Sequence, residues 1–203
     1  MKRVILVLLS LLFFSITPAQ ADDSQILQAK LAKLKVINAH FTQIVKDSNG
    51  KVINESIGTL TVSRPGKFIW HVSAPDEQTI VSNGTTMWIY DPFIEQVTLL
   101  NLDGTITDTP FVLLAGNAKK QWKHYKVTQK GNQFTLVSTR DKDSKRHFIF
   151  EFSKQGDISR FVITDEQGQR SEFTLVSFAL VAPLTDKMFE FVIPDNVEVD
   201  DQR

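Results

Sequence analysis

Alternating apolar and polar residues dominate this chain between residues 51 and 101 and again between residues 125 and 179. Such alternation places successive side chains on opposite faces of a β-strand. Short turn signals such as Asn83-Gly84 separate the runs, so consecutive strands are expected to pair antiparallel. The predicted strands cover residues 41–46, 51–63, 67–73, 77–82, 85–91, 94–101, 125–129, 133–139, 146–153, 158–165, 170–179 and 189–193, with a polar tail from residue 195.

A helical spacing of apolar residues occurs near the start of the chain. The stripe consists of Leu27, Leu31, Leu34, Phe41 and Val45. This spacing predicts a helix that packs one face on the sheet. We expect it to begin with Ser24 as its N-cap and to end near Ala39, because residues 41–45 also have the pattern of a strand.

Several strands carry more large apolar residues than a sheet with one solvent-exposed face would have. Phe68 and Trp70 share one strand face, as do Phe148 and Phe150, while the run 87–90 (Met87, Trp88, Ile89, Tyr90) is apolar on both faces. Such a sheet must be covered on both sides or must curl around something apolar. The pattern therefore predicts an α+β protein built on a curved antiparallel sheet with an apolar concave side.

A short apolar segment follows at residues 108–116. Pro110 suits the first position of a helix and Gly116 suits its end, and Phe111, Leu113 and Leu114 lie between them. The segment is either an ordinary core helix or a lid over an apolar cavity, and its residues leave both interpretations open.

One positive charge, Arg64, stands at the turn into the aromatic strand that contains Phe68. Since arginine is rarely buried without a partner, the residues alone favour a solvated turn arginine over a buried contact.

The first 21 residues have the organisation of a secretory signal peptide. A basic start at Lys2 and Arg3 precedes an apolar run from residue 4 to residue 16, and Ala19-Gln20-Ala21 is a small-residue cleavage site. Cleavage would remove two basic residues and no acidic one, so the formal charge would change from 0 to −2. We expect one exported domain over residues 22–203, with no permanent membrane anchor and no affinity for nucleic acid.

The sequence offers little that indicates catalysis. It contains no cysteine, its four histidines are dispersed, and it lacks nucleotide-binding and nucleophile-elbow motifs. We therefore expect no enzymatic activity, no cofactor and no metal. An exported, curled, phenylalanine-rich sheet suits a protein that binds apolar cargo in water.

Several short motifs in a fixed order then resemble those of the LolA family of periplasmic outer-membrane lipoprotein carriers. The motifs are Phe41-Thr42-Gln43, residues 64–70 (RPGKFIW), residues 75–77 (PDE), residues 81–84 (VSNG), residues 88–93 (WIYDPF), Glu95-Gln96, residues 109–111 (TPF) and residues 199–203 (VDDQR). Each motif is short, but the motifs occur in a fixed order and together extend over nearly all of the chain after residue 21.

The resemblance implies an incomplete antiparallel barrel of about eleven strands, whose apolar concave face is covered by the N-terminal helix and short lid helices. It implies that acyl chains of outer-membrane lipoproteins bind there, arriving from the inner-membrane complex LolCDE and leaving to the acceptor LolB. It also implies that Arg64 holds the lid closed through hydrogen bonds to helix backbone.

We expect a monomer, with a cavity and lid formed by Leu31, Leu34, Phe68, Trp70, Met87, Trp88, Tyr90, Phe111, Leu113, Leu114, Phe148 and Phe150. Two other interpretations stay open at this point: a periplasmic lipid-sensing or regulatory module of the same fold, and a periplasmic lipid hydrolase.

Overall fold

The computed structural model describes residues 22–102, 110–116, 122–140, 146–179 and 183–203. Helix α1 (Asp23–Lys33) precedes the sheet, and helix α2 (Pro110–Ala115) interrupts it halfway along the chain. Short 3-10 turns occupy Trp122–His124 and Asp186–Phe189. The strands are β1 (Val36–Lys46), β2 (Val52–Ser63), β3 (Lys67–Ala74), β4 (Gln78–Asn83), β5 (Thr86–Asp91), β6 (Gln96–Asn101), β7 (Tyr125–Lys130), β8 (Gln133–Ser138), β9 (His147–Phe152), β10 (Ile158–Thr164), β11 (Arg170–Ser177) and β12 (Glu198–Asp201).

These twelve described strands form one sheet in the order β12-β6-β5-β4-β3-β2-β1-β11-β10-β9-β8-β7. Neighbours pair antiparallel except β12, which runs parallel to β6. Strands β12 and β7 stand at the two edges, so the sheet is open. The predicted fold class, a half-open antiparallel barrel with helices over an apolar face, is confirmed. Across the described residues, every helix is too short or too polar to cross a bilayer.

The sheet is apolar on both faces, and each face has its own cover. The inner face forms one large cluster to which α1 contributes Leu27 and Leu31 and α2 contributes Leu113 and Leu114. On the outer face, a smaller cluster of Val81, Trp88, Val97 and Leu99 is covered by Phe191, Ile193 and Val197 from the C-terminal segment. The double-sided apolar pattern of β5 is therefore explained by two separate covers.

The predicted end of the first helix is wrong. Helix α1 ends at Lys33, six residues before the expected position at Ala39, because Leu34 leaves the helical backbone region. Strand β1 starts at Val36 and pairs with both β2 and β11, so ladder hydrogen bonds on both sides favour the extended form. The N-cap is also not Ser24, which lies inside the helix.

The C-terminal strand was predicted in the wrong place. Asp186–Phe189 forms a 3-10 turn, and residues 190–193 lie outside the sheet. The strand is instead formed by part of the expected polar tail, where Glu198–Asp201 joins the edge of the sheet in register with residues 96–99. The predicted signal peptide and residues 103–109 lie outside the described part of the chain.

We predict that Gly58→Ala destabilises the fold because the Phe41 ring lies over this glycine. A Cβ at residue 58 would clash with the carbonyl oxygen of His71 and would lie 2.5 Å from Cζ of Phe41. We expect a loss of about 3 kcal/mol in the free energy of unfolding, measured with urea. Gly131→Ala is the control, because its Cβ would meet nothing within 4 Å. This substitution should lower the free energy of unfolding by only about 1 kcal/mol, because alanine is strained at the positive φ of this residue. Equal losses in the two variants would contradict the steric explanation.

A second prediction concerns Glu172, which binds cations from β1, β10 and β11 on the outer face. Partial burial opposes its ionisation, but hydrogen bonds from Arg160 and Lys46 and the charge of Arg170 outweigh it and lower the pKa to about 2. A carboxylate with a lowered pKa stabilises the fold above its unfolded-state pKa, and this contribution disappears as pH falls through about 2. Glu172→Gln should therefore lose about 1 kcal/mol at pH 7 in urea unfolding. The difference from the unsubstituted protein should vanish near pH 2, and a difference that persists there would refute the assignment.

Candidate apolar binding site and its lid

The middle of the inner face is a stack of aromatic rings from strands β3, β1, β11 and β10, with β2 passing between β3 and β1. Phe41 lies on Trp70 with ring centroids 3.9 Å apart, and Phe161 lies on Phe173 at 4.2 Å. Trp70 meets the edge of Phe173 at 5.2 Å, which joins the two pairs. Alternation along each strand and the register Phe161↔Phe173 bring these rings to one face. The result is a rigid apolar floor at the centre of the sheet.

The floor continues onto strands β8 and β9, where helix α1 covers it. Phe134, Phe148 and Phe150 are fully buried there. The start of α1 is fixed to β7, because Oδ2 of Asp23 accepts a hydrogen bond of 2.8 Å from the backbone N–H of Gln129. Further along the helix, Nζ of Lys30 lies 5.2 Å above the Phe152 ring, so the lysine stem covers the rim of the interior.

Helix α2 covers the other part of the inner face, next to Met87 and Leu100. Its residues Leu113, Leu114 and Ala115 are buried and belong to the inner cluster. The side chain of Phe111 lies outside the described part of the structure, so its place in the lid stays a prediction. Between the sheet and the two helices, side chains of the protein itself form one buried cluster, and the role of α2 as a lid over it stays a prediction.

The turn between β2 and β3 holds the end of α2 through two hydrogen bonds to helix carbonyls. Nη2 of Arg64 donates to the carbonyl oxygen of Leu113 at 3.3 Å, and the N–H of Gly66 donates to that of Ala115 at 2.7 Å. The last carbonyls of a helix have no partner inside the helix, so the turn supplies donors where they are needed. Gly116 ends the helix at φ +82°, as predicted, and the Arg64 side chain packs against it. We call residues 64–66 and 113–116 the clasp.

The guanidinium of Arg64 contributes to the clasp, although burying its charge costs free energy. Burial lowers its pKa to about 10, which still leaves the group charged at neutral pH. Its Nε is buried and, among the described residues, has no hydrogen-bond partner. Burying a charged donor without full pairing costs free energy, which offsets part of what the bond to Leu113 gains. The bond from Arg64 therefore contributes less to holding α2 than it would without the cost of burying the charge.

A groove reaches the interior beside the end of α1. It has a volume of about 210 Å³ and is bordered by Leu34, Ile37 and Ile158, with Asn38 and Asp157 at its polar side. Leu34 is only partly buried and packs against the inner cluster from this position. The groove thus connects apolar inner-face side chains with the surface at the edge of the lid.

The structure brings most of the predicted site residues together in one interior. Those in the inner cluster or packed against it are Leu31, Leu34, Phe68, Trp70, Met87, Leu113, Leu114, Phe148 and Phe150. The prediction that Trp88 and Tyr90 line this interior is wrong. Both lie on the outer face with Val81 and Val97, and Tyr90 packs on Phe191 with ring centroids 5.5 Å apart. Strand alternation places them opposite Met87, so they cannot line the same interior.

The list of site residues predicted from the sequence lacked three contributors to this site. The N–H of Gly66 is a clasp donor, and nothing in the sequence indicates it until the docking of α2 is known. Phe134 and Phe161, both fully buried, belong to the aromatic floor and could have been found from strand alternation. In the described ranges, no group of three or more His, Cys, Asp or Glu side chains is arranged to hold a metal ion.

Comparison with known proteins gives one consistent family. The family model described as "Outer membrane lipoprotein carrier protein LolA" matches residues 32–192. An outer-membrane lipoprotein carrier protein of Psychromonas ingrahamii is 48% identical over 205 residues, covering 100% of both chains. That of Aeromonas salmonicida is 45% identical over 194 residues, 96% of both chains, and that of Proteus mirabilis is 40% identical over 203 residues, 100% of both.

Solved structures agree at the level of the fold. An uncharacterized conserved protein from Thermus thermophilus superposes with a TM-score of 0.54 at 14% identity, covering 89% of this chain and 100% of its own. A LolA superfamily protein from Nitrosomonas europaea gives a TM-score of 0.50 at 13% identity, covering 84% of this chain and 99% of its own.

We predict that the amide of Gly66 reports opening of the lid, because its N–H is bonded to Ala115 across the clasp. In Arg64→Leu the charge-assisted bond to Leu113 is lost, and such bonds contribute about 1.5–3 kcal/mol. Hydrogen exchange of the Gly66 amide should therefore become at least about tenfold faster. The amide of Gly168 is the control, since it is bonded to the carbonyl of Asp165 in the turn between β10 and β11, at the other end of the sheet from the clasp. Unchanged exchange at Gly66 would mean that Arg64 does not hold the lid.

Proposed function

This chain belongs to the LolA family of outer-membrane lipoprotein carriers, and we propose that it carries lipoproteins by holding their acyl chains against the inner face of its sheet. The observation that supports this most is the continuous apolar inner face, covered by two helices of which one is held by the clasp. An acyl chain needs a long apolar surface without polar groups, and the aromatic floor from Phe41 to Phe173 provides one.

Cargo binding requires the lid to move, because protein side chains fill the closed interior. Burial of acyl chains gains about 0.8 kcal/mol per CH2 group. Displacing α2 breaks the clasp and exposes Leu113 and Leu114. Exposing a buried side chain of this size costs about 1.5–3 kcal/mol of free energy. These costs reduce the net affinity, and a carrier that must also release its cargo needs such a reduction.

In this proposal Arg64 sets the balance between closed and open forms. Its hydrogen bond to Leu113 favours closure, while the cost of burying its charge limits how strongly closure is favoured. Loss of the bond would favour the open form, expose the apolar floor and increase retention of acyl chains. Delivery would then be impaired, because a cargo that is held more tightly is released more slowly.

The same proposal assigns the partners and the compartment. Residues 1–21 would be removed on export, and the carrier would work as a periplasmic monomer. It would receive lipoproteins from the inner-membrane complex LolCDE and pass them to LolB at the outer membrane. Neither transfer breaks a covalent bond of the cargo, so the proposal includes no catalytic step.

We predict that acylated lipoproteins co-purify with the tagged protein from periplasm and accumulate on Arg64→Leu. Intact-mass spectrometry should detect them, with several-fold more cargo on the variant because its lid opens more readily. Lys67→Leu is the matched control: it removes a neighbouring cation whose partner is the exposed Asp186 rather than α2. Its cargo should equal that of the unsubstituted protein.

The outcomes separate the carrier role from the role of the clasp. Equal cargo on all three proteins would keep the carrier proposal and remove Arg64 from control of the lid. Free lipid alone, or no lipid on any of them, would contradict the proposal that acylated lipoproteins are the cargo.

A further inference from the structure

The turn between β5 and β6 presents large apolar side chains directly to solvent. Phe93 is 92% exposed and its neighbour Ile94 is 57% exposed. Single exposed apolar residues are common on protein surfaces, but a phenylalanine that is almost completely exposed beside an exposed isoleucine is not explained by packing. We call residues 92–95 the apolar tip.

The apolar tip is held in a defined conformation. Oδ1 of Asp91 accepts hydrogen bonds from the N–H groups of Phe93 at 2.9 Å and Ile94 at 3.3 Å. Glu95 has a φ of +50°, and its carbonyl accepts a 2.8 Å hydrogen bond from the N–H of Glu198 at the start of β12. An ordered turn loses little conformational entropy when it binds, so the apolar tip is prepared for contact with a partner.

The surroundings of the apolar tip are strongly acidic. Three segments meet at this end of the sheet: the β3–β4 turn (75–78), the tip with its flanking residues (91–96), and the residues around the start of β12 (195–199). They contain six carboxylates and no lysine or arginine. The carboxylates are Asp76, Glu77, Asp91, Glu95, Asp195 and Glu198.

The apolar tip is separate from the clasp. Strand β6 connects the two ends of the sheet, and its six residues span about 20 Å. The clasp lies where β2 ends and β3 begins, whereas the apolar tip lies where β5 ends and β6 begins, at the opposite end of the antiparallel strands. A molecule bound at the apolar tip would therefore leave the lid free to open.

We propose that the apolar tip is a docking surface for a protein partner that offers an apolar pocket bordered by lysine or arginine. Phe93 would enter the pocket, and the surrounding carboxylates would pair with its basic border and steer the encounter. The negative charge around the apolar tip decides which kind of partner can bind there. A second copy docked tip to tip would place carboxylates against carboxylates, and an anionic lipid surface would repel them, whereas a basic protein surface is attracted.

The test is site-specific photo-cross-linking in cells with a benzophenone amino acid in place of Phe93. The control carries it in place of Val137, an exposed apolar residue on β8. The cross-linked partner segment is identified by mass spectrometry. We expect one protein segment in which apolar residues are flanked by lysine or arginine.

A charge-reversal variant then tests the role of the carboxylates. Glu77→Lys with Glu95→Lys should reduce cross-linking at residue 93 by about tenfold, since steering by complementary charge is lost. Glu55→Lys with Glu166→Lys makes the same change in net charge away from the tip and should have no effect. Each variant should keep the unsubstituted protein's melting temperature, because the substituted side chains are exposed.

The remaining outcomes would each overturn the proposal. They are a cross-link to a second copy of this chain, to lipid, or to a protein segment without basic residues. Cross-linking at residue 93 no stronger than at residue 137, or unaffected by reversal of Glu77 and Glu95, would do the same. The carrier function would be untouched by these results, because its own test rests on cargo and on Arg64.

Discussion

The inner face of the sheet is too apolar to be left in water, and most of this structure follows from that constraint. Burial of apolar area contributes about 25 cal/mol per Å². A floor of stacked rings around Trp70 therefore needs a cover, and α1 and α2 provide it. Both helices are short, and their main role in the fold is to place leucines such as Leu31 and Leu114 over this floor.

The sheet and its cover are held by interactions of very different strength. Twelve described strands are joined by continuous ladders of backbone hydrogen bonds, and strand β1 alone pairs along its length with both β2 and β11. Helix α2 is joined to the sheet through its leucines and the clasp. Local stability within a protein is uneven, and elements with few hydrogen bonds to the rest open first. In the proposed mechanism, α2 can therefore move while the sheet stays folded.

How well the sequence predicted this structure depended on whether a feature is local or needs its neighbours. Strand positions followed from alternation and turn residues, which are properties of each segment. The end of α1 was missed because Leu34 continues its helical spacing, while pairing with β2 fixes residues 36–39 in β1. The parallel pairing of Val199 with Val97 was missed because it depends on a distant edge. Trp88 was assigned to the interior because apolar character alone does not tell the two faces of β5 apart.

Under the proposed function, arginine at residue 64 suits a lid that has to both close and open. A leucine at this position would lose the bond to the Leu113 carbonyl and would leave α2 held by its own apolar contacts and by the Gly66 bond. Arg64 instead brings a charge whose burial lowers its pKa to about 10, and its bond to Leu113 recovers part of that cost. Closed and open forms are then separated by a difference of opposing contributions, which can remain small. In the proposed mechanism, the apolar floor supplies the affinity for acyl chains, and the cation in the clasp, whose burial is costly, keeps that affinity reversible.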